Sequence, residues 1–150
     1  MYKRQEWSDL IITYAVLIPS AVVMMIFARP LNAMMMGDSS AITLGVNVNA
    51  VRKLLIFITA VLTSSAVAVS GCIGFVGLIV PHIVRSVTGA DHSKVIPLSL
   101  LCGSIFMIWA DVAARLVCAP AELPVGILTA LFGGPLFLWM VRKRRYEFGK

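Results

Sequence analysis

"LLIFITAVLTSSAVAVSGCIGFVGLIV", residues 54–80, runs for 27 positions without a charge. A helix crosses the ~30 Å hydrocarbon core of a bilayer with about 20 residues, so the stretch is long for one upright span and short for two. One long tilted helix accommodates it. Alternatively it breaks at "SGCIG", where Gly71 and Gly74 allow a turn, into helices over about 52–70 and 73–87. The second of these is short for a lipid-facing span, and is expected to be mostly surrounded by protein. Periodicity does not separate the two readings; loop charge does.

The rest of the chain supplies that test. With 59% apolar residues, 13% charged residues and a mean hydropathy of +0.92 over 150 residues, the composition is that of a membrane protein. Residues 10–28 make a full span that exits at "ARPLN", with Arg29 and Pro30 at the interface. "VIPLSLLCGSIFMIWADVAARL" (95–116) makes another, with Gly103, Ser104 and Ala113 as small packing residues. "VGILTALFGGPLFLWMV" (125–141) makes the last, before the basic tail "RKRRYEFGK". The expected class is an all-α integral membrane protein of about five transmembrane helices in a single membrane domain over 1–150.

Breaking the 54–80 run places 29–53, 85–94 and the tail on one side with ten basic residues, against Lys3, Arg4 and Arg115 on the other. Fusing it gives nine against four. The positive-inside rule favours the broken run, with the N-terminus outside and the C-terminus cytoplasmic. An odd number of spans with an external, unsignalled N-terminus gives the expectation that this is the C-terminal half of something larger.

Several alternatives are weighed against this frame. A pI near 9.7 would suit nucleic-acid binding, but no basic face with aromatic or helical presentation accompanies it. The apolar run after "MYKRQEW" is too long for a signal peptide and has no small-x-small cleavage site before Arg29. Cys72, Cys102 and Cys118 lack ligand spacing and read as small apolar residues within helices. Met34, Met35 and Met36 point in different directions on a helix, which favours apolar packing over soft-metal binding.

Two stretches carry more information. In "GDSSAITLG" (37–45), Asp38, Ser39 or Ser40 caps a short helix that runs to about Leu44 and is ended by Gly45; such a helix between spans lies at the membrane surface. "GFVGLIVPHIVRSVTGADH" (74–92) holds both histidines, and with Asp91 and Asp111 invites the reading of an intramembrane enzyme or metal carrier. Against it, Pro81 kinks or ends a helix near the interface, and His82 and Arg85 share a face at the aqueous boundary. Asp111 and Arg115 stand at i, i+4 and form a neutralised pair. A small membrane scaffold is the third class considered.

Four blocks, "ARPLNAMMMGDSSAITLGV", "SGCIGFVGLIVPHIVRSVTGADHSKVIPLS", "ADVAARLVCAPAELPVGILTALFGGPLF" and the terminal "RKR", resemble the permease subunits of type II ABC importers for iron-siderophores, haem and cobalamin. The likeness covers essentially the whole chain and matches the second half of that family's ten-helix subunit, so the first five spans have no counterpart here. It implies a non-enzymatic permease in the cell membrane that binds no cofactor itself, ATP acting through a partner ATPase. Its further implied partners are an extracytoplasmic substrate-binding protein and a second permease copy, within the lipid bilayer.

The resemblance also assigns residues. Gly37, Asp38, Ala41, Ile42, Leu44 and Gly45 become the cytoplasmic segment that couples to the ATPase, with Ala41, Ile42 and Leu44 as its apolar contact face. Arg115 becomes the external arginine that meets a glutamate of the binding protein. Gly71, Gly74, Gly77, Pro81, His82, Arg85, Asp91 and His92 become signatures of permease architecture, with part of the small-residue face of Ser64, Ser65, Ser70 and these glycines on the translocation path. Glu122, Pro124 and Gly126 shape the external loop. No metal site is implied.

Overall fold

The computed structural model describes residues 7–117 and 125–147. Its described residues form seven helices: α1 (Trp7–Ile26), α2 (Ala28–Met35), α3 (Asp38–Thr43), α4 (Val48–Ser70), α5 (Val76–Thr88), α6 (His92–Val117) and α7 (Val125–Glu147). The 54–80 run is broken, as its loop charges require. α4 ends at Gly71, whose φ of 77° closes the helix in a conformation that glycine adopts without a Cβ penalty. α5 begins after Phe75, a non-glycine residue at φ 67°.

Two of these helices, α4 and the stretch His92–Leu116 of α6, are long and apolar enough to cross a membrane, and α1 with α2 makes a third if the bent pair is taken as one span. The other two apolar helices are shorter, α5 as expected for the second half of the 54–80 run. α5, cut between the break at 71–75 and Gly89, has 13 residues, about 20 Å of helix. The apolar part of α7, Val125–Met140, is also below full-span length.

The residues fall into two compact units. The first comprises Met1–Gly71 and Ala90–Pro97. In it α1 packs along α4, and α2 and α3 fold back beside them. The exit expected at "ARPLN" is not an end. The backbone bends by 48° at Phe27 and continues as α2, because Pro30 lies in the first turn of α2, where a missing N–H costs no helical hydrogen bond.

The second unit comprises Cys72–Gly89 and Leu98–Lys150, and its core is a contact of α5 with α7. Ile79, Val80 and Val84 of α5 are buried, while Leu78, Ile83 and Val87 on the same helix are exposed. The enclosure expected for α5 is thus one-sided among the described residues: a stripe at i, i+1 and i+5 is covered and the opposite face is not. Pro81 neither ends the helix nor stops it short of Thr88. Ala110 and Ala114 of α6 and Leu128 and Thr129 of α7 are buried. Gly103 lies against Val80, as a small packing residue should, whereas Ser104 is exposed and returns its hydroxyl to the Leu100 carbonyl.

Candidate functional site

The first unit gathers its functional candidates at one end, where α1 gives way to α2, α4 starts and α6 starts. α3 is held there by both of its termini. Gly37, at φ 105°, is its N-cap and makes no side-chain cap, so the capping expected from Asp38, Ser39 or Ser40 is corrected. Asp38 turns instead to α4 and accepts two hydrogen bonds from Arg52 Nη2 at 3.1 and 3.2 Å. A conformation with φ above 100° favours glycine, and it frees the Asp38 carboxylate for that ion pair. At the other terminus Gly45 has φ 82°, and Asn47 caps α4 by accepting from the Ala50 amide at 3.1 Å.

On α3 the three apolar residues divide. Ala41 is fully buried, while Ile42 and Leu44 are 62% and 63% exposed. Ala41 therefore belongs to the inner side that seats the helix, and the outward apolar face is Ile42 with Leu44. Of the preceding methionines, Met34 is half-buried but Met35 and Met36 are exposed, so packing within the unit accounts for the first alone.

The junction between α2 and the start of α6 is made by three polar side chains. Asn32 Nδ2 donates to Asp91 Oδ1 at 2.6 Å. Asn32 Oδ1 accepts from the His92 amide at 2.8 Å and lies 2.9 Å from His92 Nδ1. Since a carbonyl oxygen only accepts, Nδ1 carries the proton in that contact. Asp91 is also the N-cap of α6, taking the Ser93 amide at 2.9 Å. The Asn32 amide, and after it the Ser93 amide, hold the Asp91 carboxyl below its ordinary value of 3.8.

This arrangement bears on the metal-carrier reading of the histidines. Asp91 and His92 are both committed to Asn32, and among the described residues no three His, Cys, Asp or Glu side chains gather into a group that could hold an ion.

In the second unit, the break and α7 approach closely. A Cβ at Gly126 would collide with the Cys72 carbonyl, and one at Gly133 would collide with the side chain of Phe75. The Phe75 ring meets Phe137 with centroids 6.4 Å apart and planes tilted by 56°, a favourable aromatic geometry. Cys72 lies in the break and not within a helix, which corrects its reading; Cys102 is in α6. Asp111 and Arg115 form the expected i, i+4 pair at 2.9 Å, on an exposed face.

Over residues 2–143 the sequence matches the FecCD transport family. The chain belongs to that family. It is 44% identical to the hemin transport system permease protein HmuU of Yersinia pestis, over 96% of this chain and 43% of that protein. It is 39% identical to the Fe(3+) dicitrate transport system permease protein FecD of Escherichia coli K12, over 94% and 44%. It is also 44% identical to the cobalamin import system permease protein BtuC of Halobacterium salinarum, over 93% and 37%. A solved ABC transporter in an inward-facing conformation, described as of the metal-chelate type, superposes with a TM-score of 0.85 at 36% identity, over 92% of this chain and 44% of that one. The chain thus spans less than half the length of the relatives it matches.

The remaining predicted positions of this FecCD chain are scattered over its elements. Gly71 and Gly74 sit in the break and Gly77 in the first turn of α5; Gly74 and Gly77 have no described atom within 4 Å of an added Cβ, so room for packing is not what those two glycines supply among the described residues. His82 and Arg85 lie on α5, the first half-buried and the second exposed. Gly126 is in the first turn of α7, not in a loop, and Glu122 and Pro124 lie outside the described residues. Sequence reasoning missed Asn32, whose partners are 59 and 60 positions away. It also missed Gly133 and Phe75. Gly126 and Gly133, one heptad apart, were a findable signal for one close-approach face. No local signal marks Phe75 as left-handed.

Proposed function

We propose that this chain is the C-terminal half of the permease of an ABC importer that carries a ferric-siderophore, haem or cobalamin across the cell membrane, driven by ATP hydrolysed in a separate subunit. The observation that carries the reading is the geometry of α3, together with the named activities of its relatives. A permease needs a rigid element at the membrane surface that a nucleotide-driven partner can push. α3 has a buried Ala41 on one side and exposed Ile42 and Leu44 on the other. Asp38 ties it to Arg52 of α4 at 3.1 Å, so a force on α3 is passed to a membrane-crossing helix.

In this reading Ile42 and Leu44 enter a cleft of the ATPase, Gly37 and Gly45 set the angle of α3, and Asp38 and Ala41 keep it seated. The whole chain acts as one membrane domain beside a second permease copy. The ten-to-three distribution of basic residues supports an outer N-terminus and an inner C-terminus, which puts the junction of α2 with the start of α6, made by Asn32, Asp91 and His92, on the cytoplasmic side. Arg115 then faces outward to the substrate-binding protein, held in position by Asp111. The break at 71–75 and the start of α5, with Pro81, His82 and Arg85 further along, shape the permease around the path.

The test is coupling. With the complete importer reconstituted in vesicles, Leu44→Ser and Gly37→Val are expected to lower uptake at least about tenfold while the ATPase keeps hydrolysing, the size of effect of a lost buried apolar anchor. Wild-type uptake per ATP in both variants would sink the assignment.

A further inference from the structure

The first unit also contains a cavity of about 520 Å³ at the α1–α2 bend, lined by Met25, Ile26, Ala28, Arg29, His92, Ser93, Ile96 and Pro97. That volume lies within the range of small-molecule sites, roughly 300–1,000 Å³. Its lining has two parts. Met25, Ile26, Ile96 and Pro97 give an apolar wall, and Arg29 gives a cation at the rim.

Arg29 is exposed and makes no ion pair with a described residue, although Asp38 and Asp91 lie at the same gathered end of the unit. Asp38 is engaged by Arg52 at 3.1 Å, and Asp91 is held by Asn32 and the Ser93 amide and does not line the cavity. So the cavity offers one positive charge that no described carboxylate pairs, beside an apolar wall, at the bend of the apolar α1–α2 helix pair. The complementary occupant has an anionic head and an apolar body, and the bilayer itself supplies that chemistry in quantity.

We propose that this cavity binds the phosphate headgroup of an anionic phospholipid. The Arg29 guanidinium meets the phosphate, for which its planar fork is suited. The first segment of an acyl chain lies along Met25, Ile26, Ile96 and Pro97. The shared chemistry is a phosphate, so free phosphate is the competing source that an experiment must separate from lipid. This site is independent of the substrate and of the coupling role of α3.

The full chain, purified in mild detergent, is tested by native mass spectrometry with phosphatidylglycerol and, separately, phosphatidylcholine. The wild type is expected to retain phosphatidylglycerol about fivefold better, the effect of one basic residue on anionic lipid. Arg29→Gln removes the preference, Arg29→Lys keeps most of it, and Ile96→Trp, which fills the apolar wall with the charge left in place, removes retention. An excess of inorganic phosphate leaves the lipid bound. Equal retention of the two lipids by the wild type, an unchanged preference in Arg29→Gln, or displacement by inorganic phosphate would each overturn the proposal. Helix content and thermal melting are followed for every variant; should Arg29→Gln fail to fold, Arg29→Lys and Ile96→Trp decide the question.

Discussion

The two compact units solve the same problem by opposite means. At its gathered end the first is fastened by polar side chains: Asn32 to Asp91 and His92, Asp38 to Arg52, and Asn47 to the start of α4. The second is fastened by the absence of side chains, with Gly126 and Gly133 letting α7 close on the Cys72 carbonyl and the Phe75 ring. In the proposed orientation the difference follows from the solvent. Near the aqueous boundary a hydrogen bond between side chains aligns helices at little desolvation cost. Between apolar helices, where lipid competes equally for apolar contact, association comes from close packing and small residues.

If that contrast holds, the largest effect belongs to the second unit. Gly126→Val puts a branched side chain into a backbone carbonyl, which cannot swing aside as a side chain can, and should destabilise by about 3 kcal/mol or prevent folding. Gly133→Ala meets the Phe75 Cβ, which is fixed to its own backbone, and its smaller methyl should cost about 1–2 kcal/mol. Denaturant melts of the detergent-solubilised protein measure both, and full tolerance of either would break the close-approach reading of α7.

In the first unit, Asn32→Leu strips partners from Asp91 and from the start of α6 together, and is expected to lower stability by less than Gly126→Val and by more than Asp38→Ala. The same junction sharpens the comparison through pH. The Asp91 carboxyl is held below 3.8 in the fold, so its contribution is fully present above that unfolded value and is lost as pH falls through the lower folded one. Asn32→Leu should flatten this acid limb of the stability curve, whereas Gly133→Ala should shift the whole curve without changing its slope. The smallest effect belongs to the Asp38–Arg52 pair. Both side chains are more than half exposed, so Asp38→Ala should move stability by no more than about 0.5 kcal/mol; a larger loss would mean that the pair is better shielded than its exposure implies.

How much of this was open to a reader of the sequence depended on range. The break at "SGCIG" could be read because a charge-free run of 27 residues and the balance of loop charges constrain each other. The Asp111–Arg115 pair could be read because four residues make one helical turn. Pro30 misled because a proline marks the first turn of a helix as readily as the end of one, and what lies beyond it decides between them. The resemblance put Ala41 on the contact face with Ile42 and Leu44, and a six-residue helix offers too short a pattern to show which side is covered. Asn32 was hidden altogether: an amide's two opposed bonding groups mean nothing until the fold supplies partners from some sixty positions away.

The bend after α1 has a mechanical consequence. α2, with eight residues, is about 12 Å long, and turning it by 48° carries Gly37 roughly 9 Å sideways from the line of α1 by that same rise per residue. It is a crank arm. In the proposed reading, a rotation of about 5° at Phe27 would sweep the far end of an arm of that length through about 1 Å, so a small change at the bend becomes an ångström-scale stroke at α3.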